Sequence, residues 1–367
     1  MKKTASLLEA ANIQVVMGGT LILDVPSLTI VEGEILSFIG PNGAGKTTLL
    51  QVLAHLIKLT KGHILFKAEV VGSKRSLLRY RRKLAMVFQE PLLFDTTVFE
   101  NVAAGLKMRG VRGAKMRSIV REQLARFGIS HLADRSARTL SGGEAQRTSL
   151  ARAFATEPVI LFLDEPFAAL DPPTRESLID DLERILRETG TTTVMATHDR
   201  IEALRLSDRI GIMNNGNLCQ IGPPEDVMNR PADEFVASFV GTETILSGQV
   251  LENSGGDISI SVADRKLWAV GEAMAGDAVL LCIRPENVIL AKGSNPSVTS
   301  ARNTFLGMIE KIIPAGVYYK VKIDCSFPLV AFITRQAIEE LSLQEGSTVT
   351  ASFKATAIHV IRRHMSN

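Results

Sequence analysis

The segment Gly40-Pro41-Asn42-Gly43-Ala44-Gly45-Lys46-Thr47-Thr48 fits the pattern G-x-x-x-x-G-K-[ST]. Glycines at these spacings let backbone N–H groups turn inward around phosphate oxygens. Lys46 is placed to neutralise β- and γ-phosphates, and the Thr47 hydroxyl to ligate Mg²⁺. A second constellation is the acid pair Asp164-Glu165, which ends the apolar run Val159–Leu163. Asp164 can hold the Mg²⁺ shell, and Glu165 can polarise an attacking water. The plainer alternative is a solvated acid pair capping a strand. His198 follows another apolar run, Thr192–Ala196. Together these residues point to hydrolysis at the terminal phosphate of a nucleotide.

For these groups to meet, the chain needs a parallel sheet. Runs that are apolar on both faces suit buried central strands, and Glu34–Ile39 should be the strand entering the phosphate loop. Lys46–Ile57 should be the helix leaving it, adding its N-terminal dipole to the anion site. Open α/β sheets bind ligands at the carboxyl ends of their strands, where Asp164, Glu165 and His198 would all lie. A further helix opens at Leu140-Ser141-Gly142-Gly143-Glu144-Ala145-Gln146-Arg147. Ser141 and Glu144 form a capping box, and the two glycines bare backbone N–H groups beside it. Spacing alone leaves this either an ordinary capped helix or a second anion-binding end. One phosphate loop plus a second phosphate-seeking helix end implies that the two meet across a dimer.

These motifs resemble the ATP-binding-cassette family. The matching residues are Gly40–Thr48, Gln89 in Val87-Phe88-Gln89-Glu90-Pro91, the signature Leu140–Arg147, Asp164-Glu165, the turn Ala169-Leu170-Asp171, and His198. The resemblance covers residues 1–240 and implies a phosphate-loop cassette with a helical subdomain at about 90–157. It implies ATP and Mg²⁺ as cofactors, with Thr47, Gln89 and Asp164 around the metal. It makes Glu165 the general base, His198 a γ-phosphate contact, and Gln89 a link to the attacking water and the helical subdomain. Ser141, Gly142 and Gly143 should serve the nucleotide of a second copy, and Asp171 should lie on the dimer seam. The family's adenine-stacking aromatic falls at Met17 in Gln14-Val15-Val16-Met17-Gly18-Gly19. A thioether offers less flat area, so weak base discrimination is expected.

Composition narrows the partners. The chain has 367 residues, which predicts two or three domains. A net charge of +3 and 5% aromatics give no signature of a nucleic-acid binder. No apolar run of membrane-spanning length occurs, and Glu9 and Asn12 interrupt any signal-like h-region at the start. Cys219, Cys282 and Cys325 form no paired motif, so core packing in a reducing cytosol is expected. Basic series at 74–83 and 107–126 read either as solvated faces or as attraction to a membrane partner or anionic leaflet.

Beyond residue 240 the pattern changes to short alternating runs such as Ala278–Arg284, Gly316–Ile323 and Thr348–Phe353, a β-rich style. Gly293-Ser294-Asn295-Pro296-Ser297 reads as a loop within it. Residues 297–361 resemble the small β-barrel module of molybdate-binding proteins, through Ser300-Ala301-Arg302-Asn303 and Phe353-Lys354-Ala355-Thr356-Ala357. The fold expected is thus an α/β phosphate-loop cassette followed by a regulatory, OB-like β-barrel domain at 241–367. Ser300, Arg302, Lys354 and Thr356 are candidate oxyanion contacts, unless Arg302 and Lys354 merely pair with surface acids. The two resemblances imply an ATPase at the cytoplasmic face of the membrane. It would work as a homodimer with integral-membrane permease subunits and, indirectly, an extracytoplasmic binding protein. Molybdate or tungstate is the expected cargo. Sulfate, iron or polyamine import is the alternative, and so is a soluble cassette acting on ribosomes or DNA. A non-catalytic oxyanion-binding protein is a third possibility that the set Lys46, Asp164, Glu165 and His198 opposes.

Overall fold

The computed structural model describes residues 6–293 and 300–363. Residues 294–297 of the expected loop lie outside the described residues. The chain forms two compact units, 1–224 and 225–367.

The first unit is built on a ten-stranded sheet. One side is antiparallel, led by the hairpin Ser6–Met17 and Thr20–Val31. The other side is parallel, with Ile35–Ile39 between Thr192–Thr197 and Arg209–Asn214, then Ile160–Asp164 and Leu84–Val87. Ile35–Ile39, Ile160–Asp164 and Thr192–Thr197 are buried along their whole length. That explains their continuous apolar character, because each faces a helical layer on both sides. Ile160 and Phe162 pack with Phe38, Leu49 and Leu50. Leu161 and Leu163 point the other way, to Leu150, Leu178 and Leu182. The strands therefore hold their carboxyl ends in register, with Leu163 beside Val87 and Asp164 beside Ala196.

Helices Val98–Met108, Gly113–Arg126 and Gly142–Phe154 lie in sequence between the strands Leu84–Val87 and Ile160–Asp164. The first begins under a Thr97 cap, whose hydroxyl accepts from Glu100 N–H at 3.2 Å. The helix after the phosphate loop runs Lys46–Leu53, shorter than expected. His55, at φ +54°, takes the chain out of it. Among the described residues no helix is long and apolar enough to cross a membrane.

The second unit contains two antiparallel five-stranded sheets. Their inward residues share one core, including Leu281, Ile283, Ile309, Val321, Ala351 and Phe353. Asn303 clamps the sheets together. It is fully buried, its Nδ2 donates to Trp268 O at 2.8 Å, and its Oδ1 accepts from Trp268 N–H at 2.8 Å. Asn303→Ala should leave both backbone groups unmade and destabilise the unit by about 2 kcal/mol. Urea unfolding followed at Trp268 reads this directly, and an unchanged midpoint would exclude the clamp.

The units divide at Pro224–Glu225, earlier than the compositional break at 240 predicts. The helix Glu234–Phe239 buries Ala237 against Leu280, Cys282 and Ile361 of the second unit. Its helical pattern continues the style of the cassette, which is why composition does not mark the change.

Candidate functional site

A cavity of 410 Å³ opens over the phosphate loop, lined by Ile22, Asn42 to Thr48, and Glu165. Two glycines are forced by the geometry. A Cβ on Gly40 would meet Met213 O at 2.3 Å, and Gly45 holds φ +96° at the helix N-cap. Lys46 is 5% exposed, and its Nζ donates to Gly40 O at 2.8 Å and to Pro41 O at 3.0 Å. An ammonium has three donors, so one remains for an anionic oxygen. Burial pulls the Lys46 pKa below the usual lysine range, opposed by the charges of Glu165 and Asp164.

Thr47 Oγ1 donates to Asp164 Oδ1 at 2.8 Å, joining loop and strand end across the sheet. Burial raises the Asp164 carboxyl above the ordinary range and Glu165 adds to this, while the Thr47 bond and Lys46 oppose it. The Thr47 hydroxyl and Asp164 carboxylate are hard oxygen donors at the mouth of a phosphate cradle, and they fit Mg²⁺ chemically.

Glu165 adopts φ +45°, the left-handed region, with its N–H donating to Ala196 O at 2.8 Å. A non-glycine residue held there marks a position that its surroundings over-determine. His198 Nδ1 donates to Glu165 Oε2 at 2.9 Å. A carboxylate only accepts, so Nδ1 carries the hydrogen in this contact.

The signature helix is capped as its sequence predicts. Ser141 N–H donates to Glu144 Oε2 at 2.7 Å, and Glu144 N–H donates to Ser141 Oγ at 3.3 Å. Ser141 and Gly142 are exposed and stand apart from the residues lining the loop cavity of their own chain. Asp171 caps the helix Pro172–Thr189, accepting from Thr174 N–H at 3.2 Å. Hydrogen bonds from Thr174 hold its carboxyl below the usual range.

Gln89 follows the strand Leu84–Val87 by two residues, with its side chain exposed and outside the cavity lining. Met17 ends the first strand at the hairpin turn, 44% exposed. Ile22, on the returning strand, lines the cavity and escapes sequence reasoning, since an aliphatic residue in an alternating strand carries no chemical mark. Met17→Tyr should add a stacking face worth about 1 kcal/mol, roughly fivefold tighter ATP binding. Unchanged affinity by calorimetry would place the base elsewhere.

In the second unit, Asn303 pairs with Phe353, which brings the Ser300–Arg302 segment to the same sheet end as Lys354. Ser300 and Lys354 are exposed. Arg302 is committed, with Nη1 on Asp257 Oδ2 at 2.8 Å and its guanidinium 4.1 Å from the Trp268 ring centroid. Thr356 lines a different cavity, shared with Arg230, Arg284 and His359.

This sheet, loop and set of strand-end carboxylates define a phosphate-loop ATPase cassette. Residues 23–168 match the family described as ABC transporter, and residues 299–360 match the TOBE domain. The chain is 40% identical to the molybdate/tungstate import ATP-binding protein WtpC of Pyrococcus horikoshii, over 91% of this chain and 94% of that protein. It is 34% identical to the spermidine/putrescine import ATP-binding protein PotA of Ruegeria pomeroyi, over 91% and 90%. Among solved structures it resembles cbiO1 of Clostridium perfringens, part of the ABC transporter complex cbiONQ. There the TM-score is 0.57 with 30% identity, covering 65% of this chain and 95% of that one. It also resembles the ATP-binding cassette MJ0796 in its dimeric form bound to ADP and Pi, with TM-score 0.54 and 31% identity, covering 59% and 99%. The chain belongs to the ATP-binding-cassette transporter family, as an ATP-hydrolysing subunit with a C-terminal TOBE domain.

Proposed function

We propose that this chain energises import of molybdate or tungstate, working as a pair of identical chains on separate integral-membrane permease subunits at the cytoplasmic face of the membrane. An extracytoplasmic binding protein would act through those subunits. The observation that carries the hydrolytic part is one cavity lined by Lys46, Thr47 and Glu165, with Asp164 bonded to Thr47 and His198 bonded to Glu165. The cargo rests on the similarity to the molybdate/tungstate protein, which spans nearly the whole of both chains. The spermidine/putrescine relative supports polyamine import as the second reading.

The residues divide the work. Loop N–H groups and Lys46 bind the phosphates, and Met17 and Ile22 bound the base. Thr47, Asp164 and Gln89 would hold Mg²⁺, whose charge offsets that of the phosphates. Glu165 accepts the proton of the attacking water, and His198 orients the Glu165 carboxylate while reaching the γ-phosphate side. Ser141, Gly142 and Gly143 serve the partner's nucleotide, and Asp171 lies on the seam. A groove of 370 Å³ lined by Met86, Phe94, Met108, Arg82, Arg109 and Arg152 suits an apolar, acid-bearing segment of the permease. Phe94 and Met108 are 50% and 75% exposed there. Ser300, Arg302, Lys354 and Thr356 are the candidate contacts for oxyanion sensing by the second domain. Arg302 would have to exchange its Asp257 partner to take part.

Uptake in vesicles carrying the assembled transporter tests the cargo. ATP-dependent accumulation of tungstate, uncompeted by spermidine, is expected. Spermidine uptake without tungstate uptake would assign the chain to polyamine import. An ATPase rate in that assembly insensitive to both molybdate and tungstate would remove the sensing role.

A further inference from the structure

We propose that Arg175 is a positioning residue that passes the state of the signature segment to His198 of the same chain through Asp199. The inference rests on the reading that Ser141–Gly143 contacts the partner's nucleotide. It adds a route by which occupancy of that site reaches the hydrolytic site of this chain.

The route starts at Gly143. A Cβ there would meet Thr174 Cγ2 at 2.5 Å, so the signature helix rests directly on the first turn of Pro172–Thr189. That turn is one body. Asp171 accepts from Thr174 N–H through its carboxylate and from Arg175 N–H through its carbonyl, at 3.2 and 2.9 Å. Arg175 leaves the turn toward the His198 loop, with Nη1 3.7 Å from Asp199 Oδ2. That is ion-pair range but longer than a hydrogen bond. Among the described residues, none accepts from the buried Arg175 Nε–H. The contact is loosely made and has room to tighten.

On the receiving side, the residues flanking His198 are pinned by side chains. Asp199 Oδ1 accepts from Ile201 N–H at 2.8 Å and Glu202 N–H at 3.4 Å. Asp199 N–H donates to Thr197 Oγ1 at 3.0 Å, and that hydroxyl donates to Glu202 Oε2 at 2.5 Å. Glu202 is 5% exposed, and burial pushes its carboxyl above the usual range while the Thr197 bond and the Arg175 charge oppose this. His198 thus sits between two anchored neighbours, and its exposed ring bonds to Glu165. A shift of Arg175 that draws Asp199 moves this loop as a unit and turns the His198 ring against Glu165. Coupling between sites of this kind is typically about 5- to 150-fold.

The test is steady-state hydrolysis by the full chain across ATP concentrations. Arg175→Gln should lower kcat about tenfold with KM for ATP within about twofold, and should reduce cooperativity in ATP. Arg175→Lys should restore most of the rate, since it keeps a cation facing Asp199. Asp199→Asn, which retains the helix cap, should match Arg175→Gln, and the double variant should lose no more than either single one. Unchanged kcat in Arg175→Gln, or losses that multiply in the double variant, would overturn the proposal. So would a Lys variant as impaired as Gln with an equally lowered melting midpoint, the mark of a packing role. Sizing Glu165→Gln with ATP separates the layers. Failure to dimerise removes the two-chain reading and the route with it. A dimer alongside an unaffected Arg175→Gln removes the route alone.

Discussion

Glu165→Gln is expected to lower turnover roughly 10²- to 10⁴-fold while ATP still binds. The carboxylate side chain is only 15% exposed and accepts from His198 Nδ1 at 2.9 Å. Its backbone is fixed at φ +45° and tied to Ala196 O, so the Cα stays at the strand end, and the His198 bond holds the carboxylate there. Gln keeps the shape and can still accept from His198, but it has no basic oxygen to take a proton from water. The loss should therefore fall on kcat, with the loop and Lys46 contacts intact. Phosphate release and nucleotide binding, measured on the same preparation, check this. A variant within about threefold of the parent rate would move the base to another residue.

Lys46→Ala is expected to weaken ATP binding by about 10- to 150-fold, the loss of one or more charge-assisted hydrogen bonds in a buried site. Two of the three Nζ donors hold the carbonyls of Gly40 and Pro41, which aims the third toward the cavity. Removing the cation also leaves Asp164 and Glu165 without the positive charge beside them. Because burial lowers the Lys46 pKa, its proton leaves below 10.5 in the nucleotide-free chain. The sign follows from the charged form being the one that binds phosphate. Affinity should fall as pH rises through that lowered value, earlier than for an exposed lysine. Affinity flat to pH 10.5 would show that the ammonium is not a principal phosphate contact.

The parts of the site legible in the sequence are those whose chemistry and backbone demands coincide. Gly40 and Gly45 are required by a close carbonyl and a left-handed φ as well as by phosphate. Ser141 and Glu144 are three residues apart, so their reciprocal bonds are local and readable. Asp164 and Glu165 end a strand whose two-sided burial is visible as an unbroken apolar run. Non-local partners are not legible. Arg302 meets Asp257 only because two sheets fold over one core, and nothing near Arg302 in the chain announces it. Arg175 and Glu202 look like ordinary helix charges until Asp199 and Thr197 are brought between them. The unit boundary is hidden for a related reason, since Ala237 is a plain helical residue whose burial depends on Leu280 and Ile361.

The most direct test of two chains hydrolysing ATP together is the specific activity of the purified protein across a dilution series at saturating ATP and Mg²⁺. If each hydrolytic site is completed by Ser141–Gly143 of a second chain, specific activity should rise with protein concentration and collapse on dilution. A specific activity that stays constant to the lowest concentration, in a chain that remains monomeric by sizing, would contradict the shared site and leave Lys46, Asp164, Glu165 and His198 acting alone.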